Sequence, residues 1–324
     1  MARLESVSVE RWPVAGSFNI ARGAKTHVDV VNCVVTNGRH RGQGEGTAIY
    51  YHGETAESCA EFIRTFAEAN PMFDRESVNG TMPPGAARNA LDCALWDLEA
   101  KAAGTPVWQL ARLAEPRPLP TAFTVSLDTP AIMEAAARKA ARTFGLLKCK
   151  LTGEGDGDRI AAVREGAPDA RLIVDANESW RGRNVVLEAE TLAALGVELI
   201  EQPLPAGEDG LLANVRSPIP FCADESCQSG RDIPNLGQYQ AINIKLDKAG
   251  GLSEAMAMHG AARQAGQRIM LGCMLSTSLG IAPAFLLAGE ADWVDLDGAL
   301  LLAKDRAGGF VVRDGLLQPS AIWG

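Results

Sequence analysis

Five short apolar runs, each ending in charge, follow one another between Leu146 and Lys248. They are Leu146-Leu-Lys148-Cys-Lys150, Arg171-Leu-Ile-Val-Asp175, Glu198-Leu-Ile-Glu201, Pro220-Phe-Cys-Ala-Asp224 and Ala241-Ile-Asn-Ile-Lys245-Leu-Asp-Lys248. From Lys150 through Asp175, Glu201 and Asp224 to Lys245 the charges recur in steps of 25, 26, 23 and 21 residues. Such a step holds one strand, one helix and two short connections, so the period is that of a βα repeat with parallel strands. Parallel strands at this period bring their C-terminal ends to one rim, where α/β barrels carry their chemistry. Three carboxylates flanked by lysines on that rim point to a metal site with bases beside it.

The repeat extends in both directions. Strands are expected at 121–127, 146–151, 171–175, 198–201, 220–224, 241–246, 268–273 and 292–297, with helix-like segments between them. The eighth strand is followed by Gly308, Gly309 and a short strand-like Phe310-Val-Val rather than a final barrel helix. The fold class is therefore α/β, a modified barrel of the (β/α)7β kind over residues 116–304. Its tail, 305–324, returns to the N-terminal domain. Upstream, residues 1–115 read as a small α+β capping domain. Val28 to Val35 is strand-like, and Asn37-Gly38 marks a hairpin because both residues tolerate positive φ. Residues 54–69 and 86–103 read as helices; in the second, Leu91, Leu95, Leu98 and Ala102 recur on one face, and Gly104 with Pro106 ends it. The proline-rich Glu115–Pro120 is the expected linker. Gly42-Gln-Gly-Glu-Gly46 resembles a dinucleotide fingerprint only superficially, since it opens no helix that could receive a pyrophosphate; a mobile loop is expected there.

Composition narrows the function classes. The chain has 324 residues, 47% hydrophobic and 22% charged, ordinary for a globular enzyme. A net charge of −9 and the lack of basic runs disfavour nucleic acid and anionic membrane surfaces as partners. Seven scattered cysteines without a CxxC pair suggest buried thiols and a cytoplasmic location rather than a disulfide framework. The N-terminus has no apolar run of signal-peptide type. The uncharged stretch 269–289 is long enough to span a bilayer, but its Ser, Thr, Gly and Pro residues divide it into strand, loop and helix. The sequence leaves a homo-oligomer open.

Asp175, Glu201 and Asp224, at three successive strand ends, offer the oxygen ligands that a hard divalent cation such as Mg²⁺ prefers. Lys148 and Lys150 share one strand face, about 6–7 Å apart along it, while Cys149 points toward the helices. Lys245 lies on the sixth strand, across the barrel from the second. A lysine inside a barrel is costly unless it is paired or functional, and a nearby cation is expected to lower its pKa toward that of a useful base.

With these residues in place, the chain resembles the enolase superfamily: a capping domain, a barrel lacking its last helix, and Asp, Glu and Asp on strands three to five. Lys148-Cys-Lys150 and Asn243-Ile-Lys-Leu-Asp-Lys248 resemble its muconate lactonizing subgroup. The resemblance implies Mg²⁺ on Asp175, Glu201 and Asp224. It implies Lys150 and Lys245 as an acid/base pair on opposite faces of the substrate, and Lys148 as support for the substrate carboxylate. Of the four histidines (27, 40, 52 and 259) none falls at a barrel strand end, which disfavours the mandelate racemase branch. Asp295 and Asp297 share one face of strand eight and resemble the D-x-D with which dipeptide epimerases meet a substrate's free α-ammonium. Ile20-Ala-Arg22-Gly23 resembles the loop of superfamily members acting on L-Ala-D/L-Glu, which implies Arg22 as partner of a glutamyl carboxylate, and residues 43–54 a second loop closing over the substrate. Met274 and Ser276 on strand seven, and Thr124 with Ser126 on strand one, are further candidates to line the pocket. The implied activity is epimerisation of a dipeptide, with cell-wall peptide recycling as its setting. The alternative within the superfamily is o-succinylbenzoate synthase or a muconate-type cycloisomerase.

Overall fold

The computed structural model describes residues 1–324. Three antiparallel strands open the chain, β1 (Arg3–Ile20), β2 (Gly23–Thr36) and β3 (Arg41–Thr47), in spatial order β1-β2-β3. Helices α1 (Ala56–Ala69), α2 (Arg75–Thr81) and α3 (Ala86–Ala103) follow. Capping boxes fix the starts of the first two: Thr55 and Ser58 bond reciprocally at α1, Asp74 and Ser77 at α2. A short α4 (Val107–Leu110) leads to the extended Glu115–Pro120 segment.

Gly42–Gly46 is not a mobile loop. It is the body of β3, paired with β2 from Thr36↔Arg41 to Val30↔Thr47. Gly42, Gly44 and Gly46 lie on one strand face and press against α3. A Cβ on them would come within 2.1, 2.1 and 2.3 Å of the carbonyl oxygens of Ala94, Ala90 and Ala86. The periods agree: two strand residues advance about 6.7 Å and four helix residues about 6 Å, so each glycine meets the next small alanine.

The second sheet has eight parallel strands in strict chain order: β4 (Phe123–Val125), β5 (Leu146–Lys150), β6 (Arg171–Asp175), β7 (Val197–Glu201), β8 (Phe221–Ala223), β9 (Ala241–Ile244), β10 (Arg268–Gly272) and β11 (Trp293–Asp295). The Ala122 N–H donates to the Val294 carbonyl at 2.7 Å and brings the first and last strands together. Helices α5 (Pro130–Ala140), α6 (Asp156–Gly166), α7 (Val185–Ala194), α8 (Leu246–Ala249), α9 (Leu252–Gln264) and α10 (Ser278–Phe285) lie in the crossings. Two crossings carry only a 3-10 turn, Asp209–Asn214 and Ile233–Asn235, where the sequence led us to expect helix-like segments. Pro203, Pro205, Pro218 and Pro220 in the first, and Gly230, Pro234 and Gly237 in the second, explain the shortening. The stretch 269–289 divides into β10 and α10, and no helix is long and apolar enough to cross a membrane.

After β11 the chain forms β12 (Val312–Arg313) and β13 (Leu316–Leu317) and runs back to the cap. There the Trp323 indole donates to the Cys93 carbonyl at 3.1 Å and the Gly324 N–H to Asp97 Oδ1 at 3.1 Å. None of the seven cysteines is paired.

The barrel floor is a layer of one buried residue per strand position: Ala122, Leu146, Ile173, Leu199, Cys222, Ala241, Met270 and Trp293. This is the packed interior expected of such a barrel. Two residues further along each strand, the same inward face presents Thr124, Lys148, Asp175, Glu201, Asp224, Asn243, Gly272 and Asp295. The chemistry thus begins one layer above a sealed apolar floor.

Candidate active site

Strand register sets the site. Lys148 pairs with Ile173 and Lys150 with Asp175 across β5 and β6, and Asp175 pairs with Glu201 across β6 and β7. One carboxylate oxygen from each of Asp175, Glu201 and Asp224 falls within 4.8 Å of the others, and all three residues are buried. Three clustered hard oxygens suit a divalent cation such as Mg²⁺. Asn243 Nδ2 donates to Glu201 Oε1 at 2.7 Å, which leaves Oε2 without a well-aligned hydrogen bond although Lys148 Nζ lies 2.6 Å from it. A buried carboxylate oxygen left free in this way fits a metal ligand.

Four lysines surround the triad. Lys148 Nζ sits 2.8 Å from Asp295 Oδ2 and 3.3 Å from Asp175 Oδ2. Lys150 donates to Asp175 Oδ2 at 2.6 Å and Lys245 to Asp224 Oδ2 at 2.6 Å. Lys248, fully buried, holds Asp224 Oδ1 at 2.6 Å and also donates to the Cys227 carbonyl at 2.9 Å.

The electrostatics follow from burial and these pairs. Burial works against the charge of Asp175, yet Lys150 and Lys148 hold its carboxyl down at about 2. Burial and Asp175 push Glu201 up to about 7. Asp224 lies well below the usual range because Lys245 and Lys248 outweigh its burial. The lysines differ from the expectation of a lowered pKa. Burial pulls Lys148 and Lys245 down, but the surrounding carboxylates carry both well above the ordinary lysine value.

The specificity candidates separate. Asp295 gives one oxygen to Lys148, and its other oxygen, Oδ1, has no partner. Asp297 Oδ2 accepts the Thr124 N–H at 2.6 Å, and burial next to Asp295 raises its carboxyl to about 7. Above the triad lies a cavity of about 70 Å³ lined by Phe18, Arg22, Lys25, Tyr50, Tyr51, Lys150, Glu225, Lys245 and Met274, among others. That is room for two or three waters, so a larger ligand enters only if the β1–β2 hairpin tip or the Tyr50–His52 turn shifts. Met274 is on the cavity wall; Ser276 is not, and its hydroxyl turns back to the Met274 carbonyl at 3.3 Å. Thr124 and Ser126 line a neighbouring groove that shares Phe18 with this cavity. Only the end of the expected second loop, Tyr50 and Tyr51, reaches the cavity; its beginning is strand β3. Arg22 reaches it too, but one guanidinium nitrogen is held 2.6 Å from both Glu178 and Glu225.

Sequence reading missed Asn243, Lys248, Lys25 and the two acids on Arg22. Asn243 was within reach, since it precedes Lys245 by one strand period. Lys25, in contrast, is brought to the site only by the hairpin's docking over the barrel.

Comparison with known proteins agrees with this geometry. Residues 131–322 match the enolase C-terminal domain-like family, and residues 5–111 match the mandelate racemase / muconate lactonizing enzyme N-terminal domain. The chain is 42% identical over 306 residues to the L-Ala-D/L-Glu epimerase of Escherichia coli K12, covering 94% of this chain and 95% of that one. It is 49% identical over 247 residues to an N-acetyl-D-glutamate racemase of a Pseudoalteromonas species, covering 75% and 78%. Among solved structures, an Agrobacterium tumefaciens enolase family member with homology to dipeptide epimerases, bound to sodium and L-Ala-L-Glu, superposes with a TM-score of 0.96 at 45% identity over 100% of both chains. An Enterococcus faecalis dipeptide epimerase complexed with Mg and L-Leu-L-Tyr superposes with a TM-score of 0.91 at 29% identity, covering 98% and 97%.

Proposed function

Because this chain belongs to the mandelate racemase / muconate lactonizing enzyme family of the enolase superfamily, we propose that it is a Mg²⁺-dependent dipeptide epimerase that inverts the α-carbon of a C-terminal residue, with L-Ala-D/L-Glu as substrate. The observation that carries this reading is the placement of Lys150 and Lys245 on one cavity above the carboxylate triad. They come from β5 and from the end of β9, four strands apart in an eight-stranded ring, and so approach a substrate from opposite faces.

Magnesium held by Asp175, Glu201 and Asp224 would supply the positive charge that stabilises a dianionic enediolate, an arrangement known for enolase-type sites. The chain's own residues do the rest. Lys148 directs its ammonium at the substrate carboxylate. One of Lys150 and Lys245, as free amine, removes the α-proton; the other, as ammonium, returns a proton to the opposite face, and the carbon is inverted. Asp297, and the unpartnered oxygen of Asp295, receive the α-ammonium of the N-terminal residue. Arg22 hydrogen-bonds the side chain of the inverted residue. The two relatives named above share glutamate in their names, which supports Glu at the inverted position. An anionic dipeptide would also suit cytoplasmic recycling of cell-wall peptides.

The Pseudoalteromonas relative favours a second reading, racemisation of an N-acylated glutamate without a free ammonium. Asp297→Asn separates the two: it should cut turnover of L-Ala-L-Glu sharply and leave an N-acetyl-glutamate reaction largely in place. The primary experiment is a screen of L,L-dipeptides in D₂O, read by mass. L-Ala-L-Glu should gain one deuterium per molecule, stop on chelation and resume with Mg²⁺. Exchange confined to muconate- or succinylbenzoate-type substrates would overturn the reading.

A further inference from the structure

Four cationic side chains line the cavity, and three of them are already neutralised. Lys150 is paired with Asp175, Lys245 with Asp224, and Arg22 with Glu178 and Glu225, each at 2.6 Å. Lys25 alone has no carboxylate or hydrogen-bond partner; its ammonium rests 4.4 Å from the centroid of the Tyr50 ring. We propose that Lys25 is the residue that selects an anionic side chain on the amino acid whose α-carbon is inverted, an inference that rests on the epimerase reading above.

Placement supports this. Lys25 lies directly across the β1–β2 hairpin from Phe18, and the Phe18 ring is 5.9 Å from the Lys150 ammonium. A side chain extending outward from an α-carbon held between Lys150 and Lys245 therefore passes Phe18 and arrives at Lys25. Charge supports it as well. Arg22 with its two glutamates carries one net negative charge, so without Lys25 the mouth of the cavity would repel a carboxylate. Arg22 still presents N–H groups to orient a side chain, but the unmatched positive charge belongs to Lys25. Burial without a counter-ion lowers the affinity of Lys25 for its proton. An incoming carboxylate supplies the missing partner, a charge-assisted hydrogen bond formed away from bulk water.

The test measures kcat/KM by α-proton exchange for L-Ala-L-Glu and for its neutral isostere L-Ala-L-Gln, in the wild type and in Lys25→Met and Lys25→Arg. The wild type should prefer Glu over Gln. Lys25→Met should reduce that preference roughly ten- to hundredfold, through KM rather than kcat, and Lys25→Arg should restore most of it. A preference unchanged in Lys25→Met, or a wild type that accepts both dipeptides equally, overturns the role of Lys25 while the epimerase reading stands. A wild type that exchanges no dipeptide overturns both.

Discussion

At the scale of single residues the site is a balance of buried charge. Lys148, Lys150, Lys245 and Lys248 meet Asp175, Glu201, Asp224 and Asp295 within a few ångströms. A lysine serves as base only when its neighbours let the proton go, and in this arrangement the carboxylates oppose that. A dication on the same three carboxylates would draw their negative charge away from the lysines. Replacing either base tests the division of labour. Lys150→Ala and Lys245→Ala should each lower epimerisation by at least about a thousandfold while Mg²⁺ binding, followed by calorimetry, survives. Each variant should still wash deuterium into the one epimer whose proton faces the remaining lysine. Near-normal turnover in either variant would contradict the two-base scheme. Asn243 shows how far a single strand period reaches: it orients Glu201, and the absence of a side chain at Gly272, where a Cβ would lie 2.6 Å from Asn243 Oδ1, gives it room.

At the scale of elements, the barrel's alternation decides which side chains meet. Every second residue of each strand faces inward, so the floor and the reactive layer are separated by one strand period. The cap depends on an equally simple match between the glycines of β3 and the alanines of α3. Gly44→Ala would drive a methyl into the Ala90 carbonyl and should destabilise the protein by several kcal/mol, about 3 or more, seen as a large fall in Tm. Gly80→Ala is the control. Gly80 lies within α2, with no atom placed to meet a new Cβ. Its substitution should leave Tm unchanged or raise it slightly, by about 0.5–1 kcal/mol in stability. Equal losses in the two variants would show that the glycine stripe does not carry the packing.

At the scale of the molecule, cap and barrel are joined by buried polar contacts. Arg306 donates to Glu45 Oε2 at 2.8 Å, to Glu10 Oε2 at 2.7 Å and to Thr277 Oγ1 at 2.8 Å. Arg306→Met strands the buried Glu45 carboxylate and should cost about 3 kcal/mol; adding Glu45→Gln should recover part of the lost Tm. Asp247 Oδ1 accepts from the Thr47 N–H and Asn89 Nδ2, both at 2.8 Å. Burial raises its carboxyl to about 7, above its ordinary 3.8. The folded protein therefore keeps a proton there that the unfolded chain has released. The resulting contribution to stability is present below the unfolded value and is lost as pH rises through the window up to about 7. Asp247→Asn keeps a carbonyl acceptor and does not titrate, so relative to the wild type it should gain about 2 kcal/mol between pH 5 and pH 8, read from urea midpoints. A difference independent of pH would show that Asp247 does not titrate in this window.

The sequence by itself determined the repeat, the eight strands, the inward face of each and hence the charged residues that crown it. Strand period and βα spacing are local properties, and Lys148, Lys150, Asp175, Glu201, Asp224 and Lys245 carry them directly. Only the tertiary structure decided what hangs over that rim. Gly42–Gly46 reads as a loop until α3 packs on it, because no local pattern reveals that a helix backbone needs its missing side chains. Arg22 reads as a free cation until the barrel loops bring Glu178 and Glu225 to it, from 156 and 203 residues away. Lys25 reads as a surface lysine until the hairpin docks above Lys150. These are contacts between segments far apart in sequence, and their energies belong to the packed whole rather than to any stretch of chain.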